Sequence, residues 1–163
     1  MSSSHPAHTK IEFLDPPHIV RSKISSAPCS PTSLPPENGI LALLRDVIWP
    51  ISEQRMERGR GEVGANPEEG RDVGEQRPFC GDGALEGTLF SVATLHGVGH
   101  YNTYPALETD FRNGIIPPDA LKSAIIDALN ALLAPIRKAY AENEEWQAAD
   151  KLAYPDEELE VLC

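Results

Sequence analysis

From Leu121 onward, apolar residues recur at steps of three and four: Leu121, Ile125, Leu129, Leu132, Ile136 and Tyr140, backed by Ala124, Ala128 and Leu133. That period suits one face of an α-helix. "PPDALKSAIIDALNALLAPIRKAY" therefore predicts a long amphipathic helix that starts on paired prolines. Pro135, whose ring presses on the carbonyl of Ala131, kinks or interrupts it. Just upstream, Leu107 and Phe111 stand four apart and Gly114 ends a shorter helix. Ile19, Val20 and Ile24 mark a first helix over residues 17 to 27, with Asp15 placed to cap it and prolines tolerated in its first turn. In "ENGILALLRDVIWP" the apolar positions fill more than one face, so the helix that Asn38 caps is buried on most sides, and Pro50 stops it. "ISEQRMER" reads as a strand, and "GTLFSVATL", rich in strand formers, reads as its hairpin partner.

Residues 57 to 85 interrupt this pattern. They are glycine-rich, charged and without period, which predicts a disordered insertion or long surface loop enlarging the hairpin turn. No internal repeat is visible. In 163 residues there are 15 prolines, 12 glycines and only six per cent aromatics, so a small core with much loop is expected. No stretch approaches the ~18 consecutive apolar residues of a membrane helix, and residues 1 to 30 carry no apolar segment flanked by basic residues. A soluble, intracellular protein is the expectation.

Cys29, Cys80 and Cys163 are odd in number, far apart and in no paired motif, which argues for reduced thiols rather than a disulfide framework or zinc site. His5 and His8 stand three apart, but no third ligand accompanies them, so no metal site is expected. A formal net charge of −11 speaks against nucleic acid, since phosphate contacts draw on Lys and Arg. The acid is uneven, however. Residues 142 to 163 carry Glu142, Glu144, Glu145, Asp150, Asp156, Glu157, Glu158 and Glu160 against Lys151 alone.

Four blocks, in order, carry a resemblance. "NGILALLRDVIWP", "YPALETDFRNGIIPPDALKSAIIDALNALLAPIRKAY" and "KLAYP" are similar to the C-terminal region of tyrosyl-tRNA synthetases of the eukaryotic and archaeal branch. The opening "MSSS…KIEFLDPPHIVRSKISSAPC" resembles the segment that begins at that family's class I signature loop, KMSSS. Residues 1 to 56 and 86 to 155 are covered. Met1 then takes the second place of KMSSS, and the lysine before it is not in this sequence. The resemblance implies a mainly α-helical bundle of four or five helices with a small β-hairpin, the anticodon-binding domain of a class I aminoacyl-tRNA synthetase, interrupted by the disordered glycine-rich insertion. Its parts are a loop remnant and linker (residues 1–15), a helical domain (16–155) with 57–85 as a flexible insertion, and an acidic tail (156–163).

It also implies function: activation of tyrosine with ATP and Mg2+ to tyrosyl-adenylate, then transfer to tRNA(Tyr), in the cytoplasm, by an enzyme that is a homodimer when intact. Met1, Ser2, Ser3 and Ser4 are the ATP-binding remnant, with hydroxyls and amides that can donate to phosphate oxygens but without the charge-assisted bond of the lysine. "HGVGH" at His96 to His100 imitates the other class I motif, HxGH. It is one residue too long, follows the MSSS segment when it should precede it, and has no βαβ unit around it, so a loop after a strand is the better reading. Without a nucleotide-binding sheet or tyrosine pocket, the 163 residues alone are expected to be catalytically incompetent.

For the anticodon, the family pattern H-P-x-D-L-K is represented by "IPPDALK". Pro117 stands at the His, Pro118 matches the Pro, Ala120 stands at the Asp, and Leu121 and Lys122 match. Asp119 is one residue early, swung by about 100° on a helix, and capping the helix is its plainer role. The base-stacking aromatic belongs near Leu95 and His96, where the His96 imidazole can stack. Lys122, Arg137 and Lys138 are candidates for phosphate contacts or for a solvated helix face. Two other readings stand beside the ligase: a non-catalytic helical tRNA-binding or protein-interaction module, and an acidic helical scaffold.

Overall fold

Pro17 opens α1 (Pro17–Ser26), whose Val20 and Ile24 are buried, and Ala27 turns extended ahead of Pro28, as residues before proline do. The computed structural model describes residues 10–61 and 78–153. Asp15 does not cap α1: Pro16 is the N-cap residue and makes no side-chain cap bond. Instead the Asp15 carboxylate accepts from the Glu12 amide at 2.9 Å and from the Lys23 ammonium at 2.7 Å, a full charge outbidding a neutral helix amide.

Burial works against the Asp15 charge. The Glu12 amide and the Lys23 ammonium, with Arg137 further off, outweigh it and hold the carboxyl below its ordinary range. A carboxyl depressed by folding stabilises fully above its unfolded value, near 4, and the contribution is lost as pH falls through the lower folded value. Asp15→Asn is therefore expected to cost about 1 kcal/mol at neutral pH and almost nothing at about pH 2, read by urea unfolding at both. An equal cost at both values would remove the ion pair from the account.

The second helical run is continuous where a stop and a strand were expected. It consists of α2 (Gly39–Leu43), a π-helical turn (Leu44–Ile48) and α3 (Trp49–Gly61). Asn38 caps it as expected, its side chain accepting from the Leu41 amide. At its centre the Trp49 amide donates to the Leu44 carbonyl five residues back. That widened turn lies immediately before Pro50, whose ring would otherwise press on the carbonyl of Asp46, so the proline is passed rather than obeyed. Beyond it, Glu53, Gln54, Arg55 and Met56 are good helix formers, and "ISEQRMER" is helix.

The hairpin consequently has a different second strand. β1 (Phe90–Thr94) pairs antiparallel with β2 (Gly97–Tyr101), Phe90 opposite Tyr101 and Thr94 opposite Gly97. "HGVGH" is thus mostly strand, and the turn is short. Gly97 takes φ +125°, and Gly99 has no room for a side chain beside Thr94 and Tyr101. Part of the presumed disordered insertion is ordered as well. Phe79 forms a parallel bridge with Phe90. Ser52 on α3 donates to the Leu89 carbonyl and accepts from the Phe79 amide at 3.2 Å, pinning this segment to the helix. Residues 62–77 of the insertion, residues 1–9 of the loop remnant and linker, and residues 154–163, which include the acidic tail, lie outside the described residues.

α4 (Tyr104–Arg112) follows, tied to the hairpin by the Tyr101 hydroxyl donating to Asp110 at 2.8 Å, and Gly114 ends it at φ +74°. α5 (Pro118–Glu142) runs through Pro135 without interruption; Ala131, whose carbonyl loses its partner there, is an exposed residue. α6 (Glu144–Ala153) rests on the end of α5, with Trp146 edge-on to Tyr140 at 5.4 Å and the Tyr140 hydroxyl bonded to Asp150 at 2.9 Å. Two of the carboxylates of the acidic stretch from Glu142 onward, Glu144 and Glu145, occupy its first turn, where the helix dipole favours them. The core gathers Leu121, Ile125, Leu129 and Leu133 of α5 with Val20 and Ile24 of α1, Leu41, Leu44 and Ile48, Phe90 of β1, and Leu107 and Phe111 of α4. Leu132 and Ile136 are only half-buried, Ile136 packing against the edge of the core. Among the described residues the fold is thus mainly helical: five helical runs, α2, the π turn and α3 counting as one, and one two-stranded hairpin. No helix is long and apolar enough to cross a membrane.

Candidate nucleic-acid interface

The start of α5 lies beside the hairpin turn because of what ends α4. With Gly114 turning the chain, the Asp110 carbonyl accepts from the Ile115 and Ile116 amides at 2.9 and 3.4 Å, and Ile116 is fully buried. The Ile115 carbonyl then accepts from the Leu95 amide at 3.0 Å. Leu95 and His96 form the turn itself, steadied by Thr94, whose hydroxyl donates to the Gly97 carbonyl and accepts from the His96 amide. His96 is exposed and Pro117 half-buried, so a turn residue and a helix start from distant parts of the sequence share one edge.

Lys122 is directed elsewhere, to the end of α1. Burial pushes the Cys29 thiol up, while its bond with Asn38 and the Lys122 charge pull it back. Lys122 also donates to the Ser25 carbonyl at 2.9 Å, at the negative end of α1. Asp119 is exposed in the first turn of α5, whose N-cap residue, Pro117, offers no side-chain cap. Its neighbour Ala120, swung to the other side, lines a hollow against the hairpin. Of the remaining cations proposed from sequence, Arg137 donates to Asn130 at 3.1 Å and Lys138 is exposed. Met1, Ser2, Ser3, Ser4, His5 and His8 lie outside the described residues. Among the described residues no group of three or more His, Cys, Asp or Glu is arranged to hold a metal.

The hollow measures about 650 Å³ and lies between α5, the outer face of the hairpin and the segment from Pro78 to Gly81. Two of its residues escaped sequence reasoning. The Arg55 guanidinium sits over the Phe79 ring, 4.5 Å from its centroid, a cation–π pair. Phe79 was hidden by the composition around it; the only hint was a lone aromatic between Pro78 and Cys80 in a polar run. Nearby, the Ser91 hydroxyl bonds His100 Nδ1 across the strands at 2.8 Å. Burial pushes the Cys80 thiol up, and its Sγ donates to the Thr88 carbonyl, which marks it as packing rather than reactive.

No protein-family profile matches the chain. It is 31% identical over 155 residues to "Tyrosine--tRNA ligase, cytoplasmic" of Saccharomyces cerevisiae, covering 95% of this chain and 33% of the yeast protein. It is 30% identical over 156 residues to "Tyrosine--tRNA ligase" of Natronomonas pharaonis, covering 96% of this chain and 36% of that one. The crystal structure of the tyrosyl-tRNA synthetase of Pyrococcus horikoshii, complexed with L-tyrosine, superposes with a TM-score of 0.60 over 90% of this chain and 31% of its own, at 18% identity, a likeness of fold. The chain thus spans about a third of the length of these relatives. It is homologous to tyrosyl-tRNA synthetases of the eukaryotic and archaeal type over that fraction of their length.

Proposed function

We propose that this chain supplies the tRNA-gripping helical part of a tyrosine–tRNA ligase, an anticodon-binding domain for tRNA(Tyr). One observation carries the reading: 95% of the chain aligns with a third of a ligase of that name. The adjoining hairpin turn and α5 start, with His96 and Pro117 along that edge, are where an unpaired anticodon base is taken up in this reading. Asp119, in the first turn of α5, serves the helix dipole, and Lys122 holds the end of α1. Phosphate contacts fall to Lys138 and its neighbours on the exposed face of α5.

ATP, with its Mg2+, belongs to the complete enzyme's tyrosine activation, and homodimer formation likewise belongs to the complete enzyme. The described residues contain one two-stranded antiparallel sheet and no glycine-rich strand-to-helix turn of the kind that cradles nucleotide phosphates. They do not fit the nucleotide, and no step of adenylate chemistry is assigned to this chain. The 163 residues alone are expected to give no tyrosine-dependent pyrophosphate exchange above a blank.

The net charge of −11 favours a second reading, an acidic helical scaffold without an RNA role. Filter binding of transcribed tRNA separates the two. In the tRNA reading, tRNA(Tyr) binds better than a non-cognate tRNA, and about three phosphate contacts make affinity fall roughly tenfold to a hundredfold between about 50 and 200 mM salt. Retention of neither tRNA at the lower salt removes the tRNA reading and leaves the scaffold.

A further inference from the structure

The outer edge of β2 is open, and the pairing with β1 shows which of its backbone groups are free. In an antiparallel pair, residues directly opposite one another either exchange both hydrogen bonds or both turn away. Ser91 stands opposite His100, and the Ser91 amide is committed to the Phe79 carbonyl at 3.1 Å, on the far side of β1. Ser91 and His100 therefore turn away from each other, and so, two residues on, do Ala93 and Val98. The amides and carbonyls of Val98 and His100 consequently point outward from β2, and no backbone bond among the described residues takes them up. Both residues are exposed, Val98 to 60%.

Exposed edges are usually blunted by a charged side chain, a proline or a bulge, and Gly97–Tyr101 has none of these. Charge decides what fits against it. Residues 87 to 107 contain no Asp, Glu, Lys or Arg, in a chain of which 24% is charged and whose formal net charge is −11. Two copies repel over most of their surface, and the hairpin is where they can meet without setting carboxylate against carboxylate. The edge is also self-complementary. When two copies are set antiparallel about a two-fold axis at Gly99, Val98 of each lies opposite His100 of the other, and these two pairs supply four hydrogen bonds. The central pair, glycine against glycine, is of the close, unbonded kind, with Cα atoms about 4.5 Å apart, and has no side chains to crowd it. We propose that two copies of this chain associate through β2, joining their hairpins into one four-stranded antiparallel sheet. The contact is independent of the tRNA reading and separate from the homodimer of the complete enzyme. Two short strands bury little area, so it belongs with weak interfaces below ~1,200 Å², with a dissociation constant on the order of 100 μM.

Sedimentation equilibrium of the full chain, from about 10 μM to about 1 mM, tests this together with amide hydrogen exchange over the same range. The mass is expected to rise from one chain toward two. The Val98 and His100 amides should gain protection as concentration rises, while that of Gly99, turned toward β1, changes little. His100→Pro removes an outward amide and leaves the bonds to β1 in place, since proline is tolerated where its nitrogen faces out from an edge; it is expected to raise the dissociation constant about tenfold or more. His100→Ala loses the imidazole and its bond to Ser91 but keeps the amide, and should associate as the unaltered chain does. Val98→Lys changes an exposed side chain and sets two ammoniums beside the axis, within a Debye length of each other. It should weaken association as His100→Pro does, and it decides the matter if circular dichroism shows the proline variant unfolded. A single-chain mass throughout the range overturns the proposal. So does a dimer indifferent to both edge variants, or one that His100→Ala weakens as much as His100→Pro.

Discussion

Phe111→Ala is expected to destabilise the fold by about 3–5 kcal/mol, the usual cost of removing a fully buried phenylalanine, out of the ~5–15 kcal/mol available to a domain of ordinary stability. Phe111 is 0% exposed and sits near the end of α4, a helix of nine residues, too short to hold its shape without tertiary contacts. Its loss does more than open a cavity. The Asp110 carbonyl next to it holds the Ile115 and Ile116 amides, and the Ile115 carbonyl holds Leu95, so the placement of α5 beside the hairpin turn depends on α4 staying packed. Any tRNA binding that uses this edge should weaken along with stability. Leu152→Ala, at a residue 85% exposed, is the control and should change little. Urea unfolding of both variants measures the difference; a loss under about 1 kcal/mol for Phe111→Ala would place that ring outside the cooperative core.

The parts of this fold legible in the sequence are those set by local pattern. Leu121, Ile125 and Leu129 recur with the helical period, and the structure buries all three. Asn38 precedes a run of apolar residues and caps it. Phe90–Thr94 carries strand formers and is a strand. What was misread depends on non-local or backbone accommodation. Pro50 is a reliable helix breaker only when the turn before it is a regular α turn, and nothing in "LLRDVIWP" announces that Leu44–Ile48 widens to receive it. Reading the helix as finished then made α3 a strand and gave β1 the wrong partner. Residues 78–85 lack any period, and the hydroxyl that anchors the adjoining backbone, Ser52, bonds the Leu89 carbonyl 37 residues away. The candidate site divides the same way. The neighbourhood of His96 and Pro117 followed from resemblance, but Arg55 and Phe79 meet only because α3 and the Pro78–Gly81 segment converge on one hollow beside α5.

The other large effect belongs to Asn38, and its sign with pH is the reverse of that at Asp15. Asn38 is 1% exposed. Its Oδ1 accepts from the Leu41 amide at 3.2 Å, while its Nδ2 donates to the Ser30 and Ser33 carbonyls at 3.1 and 3.3 Å. One side chain therefore caps α2 and closes the proline-rich joint that leads into it. Asn38→Ala removes the cap and strands two carbonyls, an expected cost of about 2–4 kcal/mol. Asn38→Asp keeps the shape and the cap acceptor, but turns a carboxylate toward two carbonyl oxygens in a buried place. Folding then favours the protonated acid, which can still donate to one of them, so its folded value lies above the unfolded one. For a carboxyl raised in this way, stability is least impaired below the unfolded value near 4 and declines as pH rises toward the folded value. The variant is expected to be weakest at neutral pH, by about 3 kcal/mol relative to the asparagine protein, and to recover part of that at about pH 4. Urea midpoints at the two pH values read this directly. A deficit that does not change with pH would mean that the carboxylate escapes to water, and that the bonds to Ser30 and Ser33 do not hold the joint closed.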